Sequence, residues 1–188
     1  MNGERWSLLV RSVQRDSVKI IDLEPLIVQV NNRGDWVFVL VRTDQGLTGL
    51  GEARHSGNDP LVVAALHQIK KRLTGRDPLR IEAIWKGLHR PRAGRVTHTA
   101  VSAVEQALWD IMGQHLKVPI RTLFGGELRD RLRLYANINR HVTDRSPEGF
   151  ARAARDAVDD GFSVIKLAPF DELTRFELVA IKTCLMKF

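Results

Sequence analysis

The hydrophobic pattern of the sequence changes near Leu132, and this change constrains the fold more than any other feature. From there apolar and polar residues alternate with a period of two, which is typical of a strand with one buried face. A helix signal follows at Ser146-Pro147, and an apolar run within Gly161 to Asp171 predicts a second, buried strand. Strand, helix and strand with short connections form a βαβ unit, whose strands run parallel. The helix is expected to bury Phe150, Ala154, Ala157 and Val158.

The second of these strands carries a lysine, Lys166, in an otherwise apolar run. Because side chains alternate along a strand, Lys166 shares a face with Val164 and Ala168. A lysine in an apolar core needs a charged or hydrogen-bonding partner, or a functional role that accounts for its burial. Two interpretations follow: a strand-end lysine whose ammonium group reaches solvent, or a cation in an active site.

Three further strands are predicted upstream of this unit. They cover Val18 to Val30 (broken at Glu24-Pro25), Trp36 to Arg42 and Leu47 to Ala53, with a hairpin loop at Asp44 to Gly46. Together they indicate an antiparallel meander. Three strands cannot bury both of their faces, so one face needs a cover of helices.

Helical patterns that would supply this cover follow the strands. One begins at Asp59-Pro60 and stops before Gly75, a second follows Asp77-Pro78, and the longest covers Val96 to Leu116. The predicted buried stripes are Val62, Leu66, Ile69 and Leu73; Ile81, Ile84, Trp85 and Leu88; and Val101, Val104, Leu108 and Ile111, the last beside a small face of Ala100, Ala103 and Ala107. The predicted fold is therefore an α+β domain, a three-stranded antiparallel meander plus a helical bundle, followed by the βαβ unit.

Composition narrows the class of protein. The 188 residues are 44% hydrophobic, as in ordinary globular proteins. The single cysteine, Cys184, excludes a disulfide framework and favours a reducing, cytoplasmic location. The longest apolar run, Trp36 to Val41, is too short to span a membrane, so no membrane partner is expected. The net charge is +7, but the basic residues are scattered without interleaved aromatic residues, so no nucleic-acid partner is expected either.

Three segments are predicted along the chain. Residues 1–16 form an N-terminal extension, residues 17–131 the α+β domain, and residues 132–188 the βαβ unit. The extension is interpreted as frayed, with an organelle-targeting segment as the alternative.

Two stretches resemble the mandelate racemase and muconate lactonising group of the enolase superfamily. Val37 to Ala53 is similar to the N-terminal hairpin of that group. Ala100 to Asp110, followed by Pro119 and by Leu123 to Gly126, is similar to its long helix and the glycine pair that ends it. The resemblance implies a capping domain over the mouth of a (β/α)8-type barrel, of which this chain holds the beginning.

The resemblance also implies a chemistry. Enzymes of this group remove the proton next to a carboxylate, and Mg²⁺ with lysine or histidine groups stabilises the enediolate that results. The outcomes are racemisation, loss of water from a sugar acid, or cycloisomerisation. A small carboxylate or sugar acid is the implied substrate and a homo-oligomer the implied assembly. The metal ligands of the group lie on later barrel strands, so no ligand is assigned in this chain.

Four residues are implied as site residues. Lys166 matches the first lysine of the group's Lys-x-Lys pattern and would supply positive charge to the substrate. Asn137 and Asn139 lie near the C-terminal end of the first barrel strand, where barrel active sites form. His55 lies in a loop that would select substrate. The alternatives are strand-end residues that satisfy the backbone, for the two asparagines, and a surface loop residue, for His55.

The sequence departs from the group's pattern at Ala168, which stands where the second lysine is expected and cannot take a proton. The base would then come from a later strand, which favours one-base loss of water over two-base racemisation. Two barrel strands are also far fewer than the eight of a whole barrel. The chain is interpreted as a piece of a longer enzyme or as a truncated product. The alternative function is an inactive fragment that acts only through association with itself or another chain.

Overall fold

The computed structural model describes residues 17–31, 34–54, 57–139 and 142–168 of the chain. They form two compact units, the first ending at Gly126 and the second beginning at Glu127. Each unit has an apolar core of its own. The predicted segment limits at residues 16/17 and 131/132 stay predictions.

Three strands open the first unit: β1 (Ile20–Asn31), β2 (Gly34–Thr43) and β3 (Thr48–Glu52). They pair antiparallel in the order β1-β2-β3, so the predicted meander is confirmed. A tight turn joins β2 to β3, and Gly46 in this turn has a φ of +78°, which glycine adopts without a steric cost. The sheet buries one face, as the alternation of Val37, Val39 and Val41 shows.

The first strand runs through Pro25, where the sequence predicted a break. Pro25 lies opposite Val39 of β2, and among the described residues β1 has no strand on its other side. A proline is tolerated in an edge strand because no neighbour needs its missing N–H. Within the described ranges, main-chain hydrogen bonds cover only the start of this edge: Ile20 N donates to Arg76 O (2.9 Å), and Gly75 N donates to Ile20 O (2.8 Å).

Four helices follow the sheet: α1 (Asp59–Leu73), α2 (Ile81–Leu88), α3 (Gly94–Leu116) and α4 (Ile120–Leu123). The predicted stripes of α1 and α3 are buried in full, whereas Trp85 in the stripe of α2 is only half-buried. α2 begins later than the Asp77-Pro78 signal indicated, because the Asp77 carboxylate accepts a hydrogen bond from Leu79 N (2.9 Å) and holds a turn there. None of the described helices is long and apolar enough to cross a membrane.

α3 lies against β3 with its main chain in contact with the strand. A Cβ atom built on Gly49 would lie 2.0 Å from Ala107 O, and one built on Gly51 would lie 1.9 Å from Ala103 O. Real Cβ atoms do not come so close to a carbonyl oxygen, so only glycine fits at these two positions of the strand. The small face predicted for α3 therefore packs directly on the sheet.

Polar side chains of α3 bind the edge of β3 that faces the helix. Asp110 Oδ2 accepts a hydrogen bond from Leu50 N (2.9 Å), and Gln114 Nε2 donates to Thr48 O (2.8 Å). Gln106 bonds to both main-chain groups of the last residue of the strand, at 3.2 and 3.5 Å. These three side chains are four residues apart and form one row along the helix. The row takes the place of a fourth strand.

The second unit contains β4 (Ala136–Asn137), α5 (Pro147–Asp159) and β5 (Ile165–Lys166). The two strands pair in parallel, so the βαβ unit is confirmed. The Ser146 hydroxyl caps α5 by accepting a hydrogen bond from a main-chain N–H of the first turn (3.1 Å). Gly161, with a φ of +92°, follows the end of the helix.

Two predictions for this unit are wrong. The first strand is much shorter than its alternation indicated: Leu132 and Leu134 lie outside it and are 76% and 71% exposed, because β5 offers only two residues for pairing. Val158 was predicted to face inward but is 58% exposed. It follows the buried Ala157 directly, and one residue turns a helix by about 100°, which carries Val158 off the apolar face.

An ion pair joins the sheet to α1. Lys70 Nζ contacts Asp22 Oδ1, and the two side chains are 41% and 35% exposed. The hydrogen bond from Lys70 is the main reason that the pKa of Asp22 lies below its ordinary value, and the Lys70 charge acts in the same direction, against the opposing effect of burial. Because solvent screens a pair this exposed, its contribution to stability is small.

We expect Gly51→Ala to lower the free energy of unfolding of the first unit by about 3 kcal/mol, because the new methyl group collides with the main chain of α3. Urea denaturation followed by tryptophan fluorescence measures this. Gly87→Ala is the matched control: its Cβ would meet only Arg76 Nη1 at 3.5 Å, an ordinary contact. Alanine favours a helix over glycine, so the control should gain about 0.5–1 kcal/mol. Equal stability of Gly51→Ala and the wild type would contradict the close packing.

We expect Asp22→Asn to lower the melting temperature slightly at pH 7 and to have no effect in acid. A carboxylate with a lowered pKa stabilises the fold above its unfolded pKa of about 3.9, and this stabilisation is lost as the pH falls through the folded pKa. Melting temperatures of wild type, Asp22→Asn and Lys70→Met between pH 7 and pH 2.5 would test this. A difference that stays constant over the whole range would rule out the ion pair as its cause.

Candidate active site

The second unit contains three of the four predicted site residues, and the short parallel ladder decides where two of them lie. Asn137 of β4 stands opposite Lys166 of β5. Ala136 N donates to Val164 O (2.9 Å), and Ile138 N donates to Lys166 O (3.1 Å). These bonds hold Lys166 beside the C-terminal end of β4.

The two faces of this small sheet differ in character. Ala136 and Ile165 pack on the core that α5 forms around Phe150. Asn137 and Lys166 belong to the opposite face because side chains alternate along a strand, and both are exposed in the second unit. Within the described residues, β5 is therefore not buried on both faces as its apolar sequence predicted. Its open face carries the lysine.

The Lys166 ammonium lies over a tyrosine ring. Its Nζ atom is 5.9 Å from the centroid of the Tyr135 ring. An aromatic face attracts a cation at this distance, by about 0.5–1 kcal/mol for an exposed pair. The open face thus combines a cation with the Asn137 amide, which can donate hydrogen bonds. This pair of groups suits an anionic ligand such as a carboxylate.

Asn139 is bound by the main chain of the protein itself. Its Oδ1 atom accepts a hydrogen bond from Ala168 N (3.2 Å) and lies 3.5 Å from Arg145 Nη2. Arg145 also donates to Asn139 O (3.0 Å) and to Ala168 O (3.2 Å). These contacts favour the structural interpretation of Asn139, a strand-end residue that satisfies the backbone. Its contact with substrate stays a prediction.

Sequence reasoning missed Arg145. In the sequence it is one arginine among many, and it precedes a helix signal that draws attention to Ser146-Pro147 instead. What distinguishes it is that its side chain is partly buried and binds the ends of both strands. No periodicity or motif carries that information.

Asp144 lies at the same end of the unit but is engaged in the start of α5. Hydrogen bonds from Ser146 are the main reason that the pKa of this carboxyl lies below its ordinary value, and an ion pair with Arg152 adds to them. A general base works best with a pKa near the working pH. Asp144 is therefore a helix-start residue rather than a candidate base.

Two expectations about the site fall outside what the structure describes. His55 lies outside the described residues, so its contact with substrate stays a prediction. In the described ranges, no group of three or more His, Cys, Asp or Glu side chains is arranged to hold a metal ion.

A shallow groove of about 330 Å³ lies in the first unit between the start of α2 and α3. Its lining is largely apolar: Leu79, Arg80, Ile81, Glu82, Ala83, Trp109 and Met112. None of the predicted site residues lines it. The groove therefore adds nothing to the candidate site.

Comparison with known proteins gives the context of these residues. The N-terminal domain model of the mandelate racemase / muconate lactonizing enzyme family matches residues 12–125. A D-galactonate dehydratase from Verminephrobacter eiseniae is 40% identical over 141 residues, which are 73% of this chain and 36% of that protein. The chain thus spans only about a third of the length of this curated relative.

Solved structures show the same fold. A member of the enolase superfamily from Salmonella Typhimurium has a TM-score of 0.76 at 24% identity, over 90% of this chain and 50% of that one. An isomerase from Streptomyces coelicolor has a TM-score of 0.66 at 31% identity, over 80% of this chain and 44% of that one. Since the family model matches more than half of its residues, the chain belongs to the mandelate racemase / muconate lactonizing enzyme family and carries its N-terminal domain.

Proposed function

We propose that this chain is the capping domain and the first barrel strands of an enzyme that removes water from a sugar acid. The observation that carries the proposal is Lys166 on the open face of β5, in a chain that is 40% identical to a D-galactonate dehydratase over 141 residues. The proposed substrate class is a small polyhydroxy carboxylate.

The reaction begins when a base on a later barrel strand takes the proton from C2, the carbon next to the carboxylate, so that the carboxylate becomes an enediolate with two negative charges. The C3–O bond then breaks, and the hydroxyl group leaves as water with the proton that the base returns. The enol that remains tautomerises to a 2-keto-3-deoxy acid. The family's Mg²⁺ would supply Lewis-acid charge to the carboxylate when bound.

Lys166 and Asn137 have distinct parts in this scheme. The Lys166 ammonium pairs with a carboxylate oxygen, and its attraction grows as the second negative charge develops, which lowers the barrier. The Asn137 amide donates a hydrogen bond to the same group and orients it. The Tyr135 ring keeps the ammonium on this face of the sheet.

Ala168 favours loss of water over racemisation. Its side chain has no group that takes a proton, and its main-chain N and O atoms are bound by Asn139 and Arg145. A two-base racemase needs a base on each side of the substrate carbon, whereas elimination needs one, which a later barrel strand would supply. The likeness to the Streptomyces coelicolor isomerase supports racemisation or epimerisation as the second candidate.

The proposal extends to the surroundings of the site. His55 is proposed to contact substrate from the capping domain. Association into a homo-oligomer and a cytoplasmic location complete the proposal, the first from the family and the second from the single cysteine. Sedimentation of the purified protein and fractionation of cells measure these two properties.

A chimaera tests the reaction and the role of Lys166 together. It joins residues 17–168 of this chain to the later barrel strands of the Verminephrobacter eiseniae enzyme. We expect it to form keto acid from D-galactonate, and Lys166→Met to lower kcat by about 100-fold, as loss of a transition-state charge partner does. Lys166→Arg keeps the charge and should lose less. Lys71→Met, an exposed lysine of α1, is the matched control and should match the parent chimaera.

Each contrary outcome has its own meaning. An active chimaera that Lys166→Met leaves unchanged would show that this lysine has no part in the reaction. A folded chimaera that neither forms keto acid nor exchanges the α-proton in deuterated water, for any sugar acid with Mg²⁺ present, would contradict the proposed activity. Exchange without keto acid would favour the isomerase.

A further inference from the structure

The main-chain ladder between β4 and β5 ends where the first strand turns away. In a parallel pair the N–H of Ala168 would be expected to bond to Ile138 O, because Ile138 N already donates to Lys166 O. However, Ile138 O accepts a hydrogen bond from Val142 N (3.1 Å) and belongs to the turn that follows β4. Among the described residues, Ala168 N therefore has no main-chain partner on the β4 side.

Two side chains bind the main-chain polar groups of Ala168. Asn139 Oδ1 accepts the hydrogen bond from Ala168 N (3.2 Å), and Arg145 Nη2 donates to Ala168 O (3.2 Å). Both main-chain polar groups of Ala168 are therefore satisfied by side chains from the segment between β4 and α5.

Arg145 is held in this position from two further directions. Its Nη1 atom donates to Asn139 O (3.0 Å), and its guanidinium carbon lies 5.1 Å from the centroid of the ring of Phe150, a buried residue of α5. A planar guanidinium with several donors can bond two carbonyls at once and still lie flat on an aromatic ring, which a lysine ammonium cannot do. One side chain thus connects the residues that follow β4 and β5 with α5.

We propose that Arg145 and Asn139 are a positioning pair that extends the parallel ladder by side-chain hydrogen bonds and thereby fixes Lys166 at the mouth of the barrel. Lys166 lies two residues before Ala168, so a fixed Ala168 main chain sets the direction and position of the Lys166 side chain. The importance of the Lys166 position for catalysis rests on the proposed function. The extension of the ladder by side chains does not depend on that function.

Amide hydrogen exchange of the full chain, measured by NMR, tests the extended ladder. We expect the Ala168 amide to exchange about tenfold faster in Asn139→Ala, because its hydrogen-bond acceptor is lost. It should also exchange faster in Arg145→Met, because the guanidinium that bonds to Asn139 and to Ala168 O is lost. Asn139→Asp keeps an acceptor and should keep the protection. Arg155→Met removes the same charge from an exposed position of α5 and should leave the rate unchanged.

The signal of the Lys166 ε-methylene protons tests the positioning. These protons lie near the Tyr135 ring, so their chemical shift reports where the side chain stands. We expect the shift to move toward the value of a free lysine in Arg145→Met and to stay unchanged in Arg155→Met. A loss of stability alone would lower the melting temperature without moving this signal below the melting transition.

The proposal is overturned if Arg145→Met and Asn139→Ala leave both the Ala168 exchange rate and the Lys166 signal unchanged. It is also overturned if Asn139→Asp loses protection as Asn139→Ala does. The Ala157 amide in α5 shows whether the unit remains folded; if Arg145→Met unfolds it, the comparison of Asn139→Ala with Asn139→Asp decides. No enzyme activity enters these measurements, so their failure is separate from failure of the proposed reaction.

Discussion

The first unit depends on the contact between β3 and α3. Glycine at positions 49 and 51 lets the helix main chain touch the strand, and Ala103 and Ala107 leave no side chain in the way. Only at this distance can Gln106, Asp110 and Gln114 reach the main chain of the strand edge. Close packing and hydrogen bonding therefore depend on each other, and the helix closes one side of the sheet.

Much of this unit could be predicted because its information is local. The spacing of Val62 and Leu66 in α1, or of Val101 and Leu108 in α3, defines a buried face whatever lies opposite. Gly46 indicates the hairpin in the sequence because glycine can adopt the positive φ that such a turn needs, and its φ is positive in the structure. The break predicted at Pro25 was wrong for a non-local reason: whether a proline interrupts a strand depends on whether a neighbour needs its N–H, and here β1 is an edge strand.

The candidate site could be predicted only in part. Alternation along β5 was enough to place Lys166 on the same face as Val164 and Ala168. That Asn137 shares this face follows from the register of the two strands, which the sequence does not give. The hydrogen bonds of Asn139 and Arg145 to Ala168 could not be foreseen, because they depend on a turn in which Ile138 O bonds to Val142 N instead of Ala168 N. The length of β4 likewise depends on how many residues of β5 are available for pairing. The alternating pattern around Leu132 and Leu134 carries no information about that number.

The side-chain row on α3 has a consequence for how the first unit meets other molecules. A sheet with two open edges can take up a strand on each side and grow without limit into a fibre. Here helix side chains occupy one edge, and at the other edge the described part of β1 after Ile20 remains open, interrupted by Pro25. In the described residues, the edge of this sheet that remains for pairing with another strand is therefore that of β1 and not that of β3.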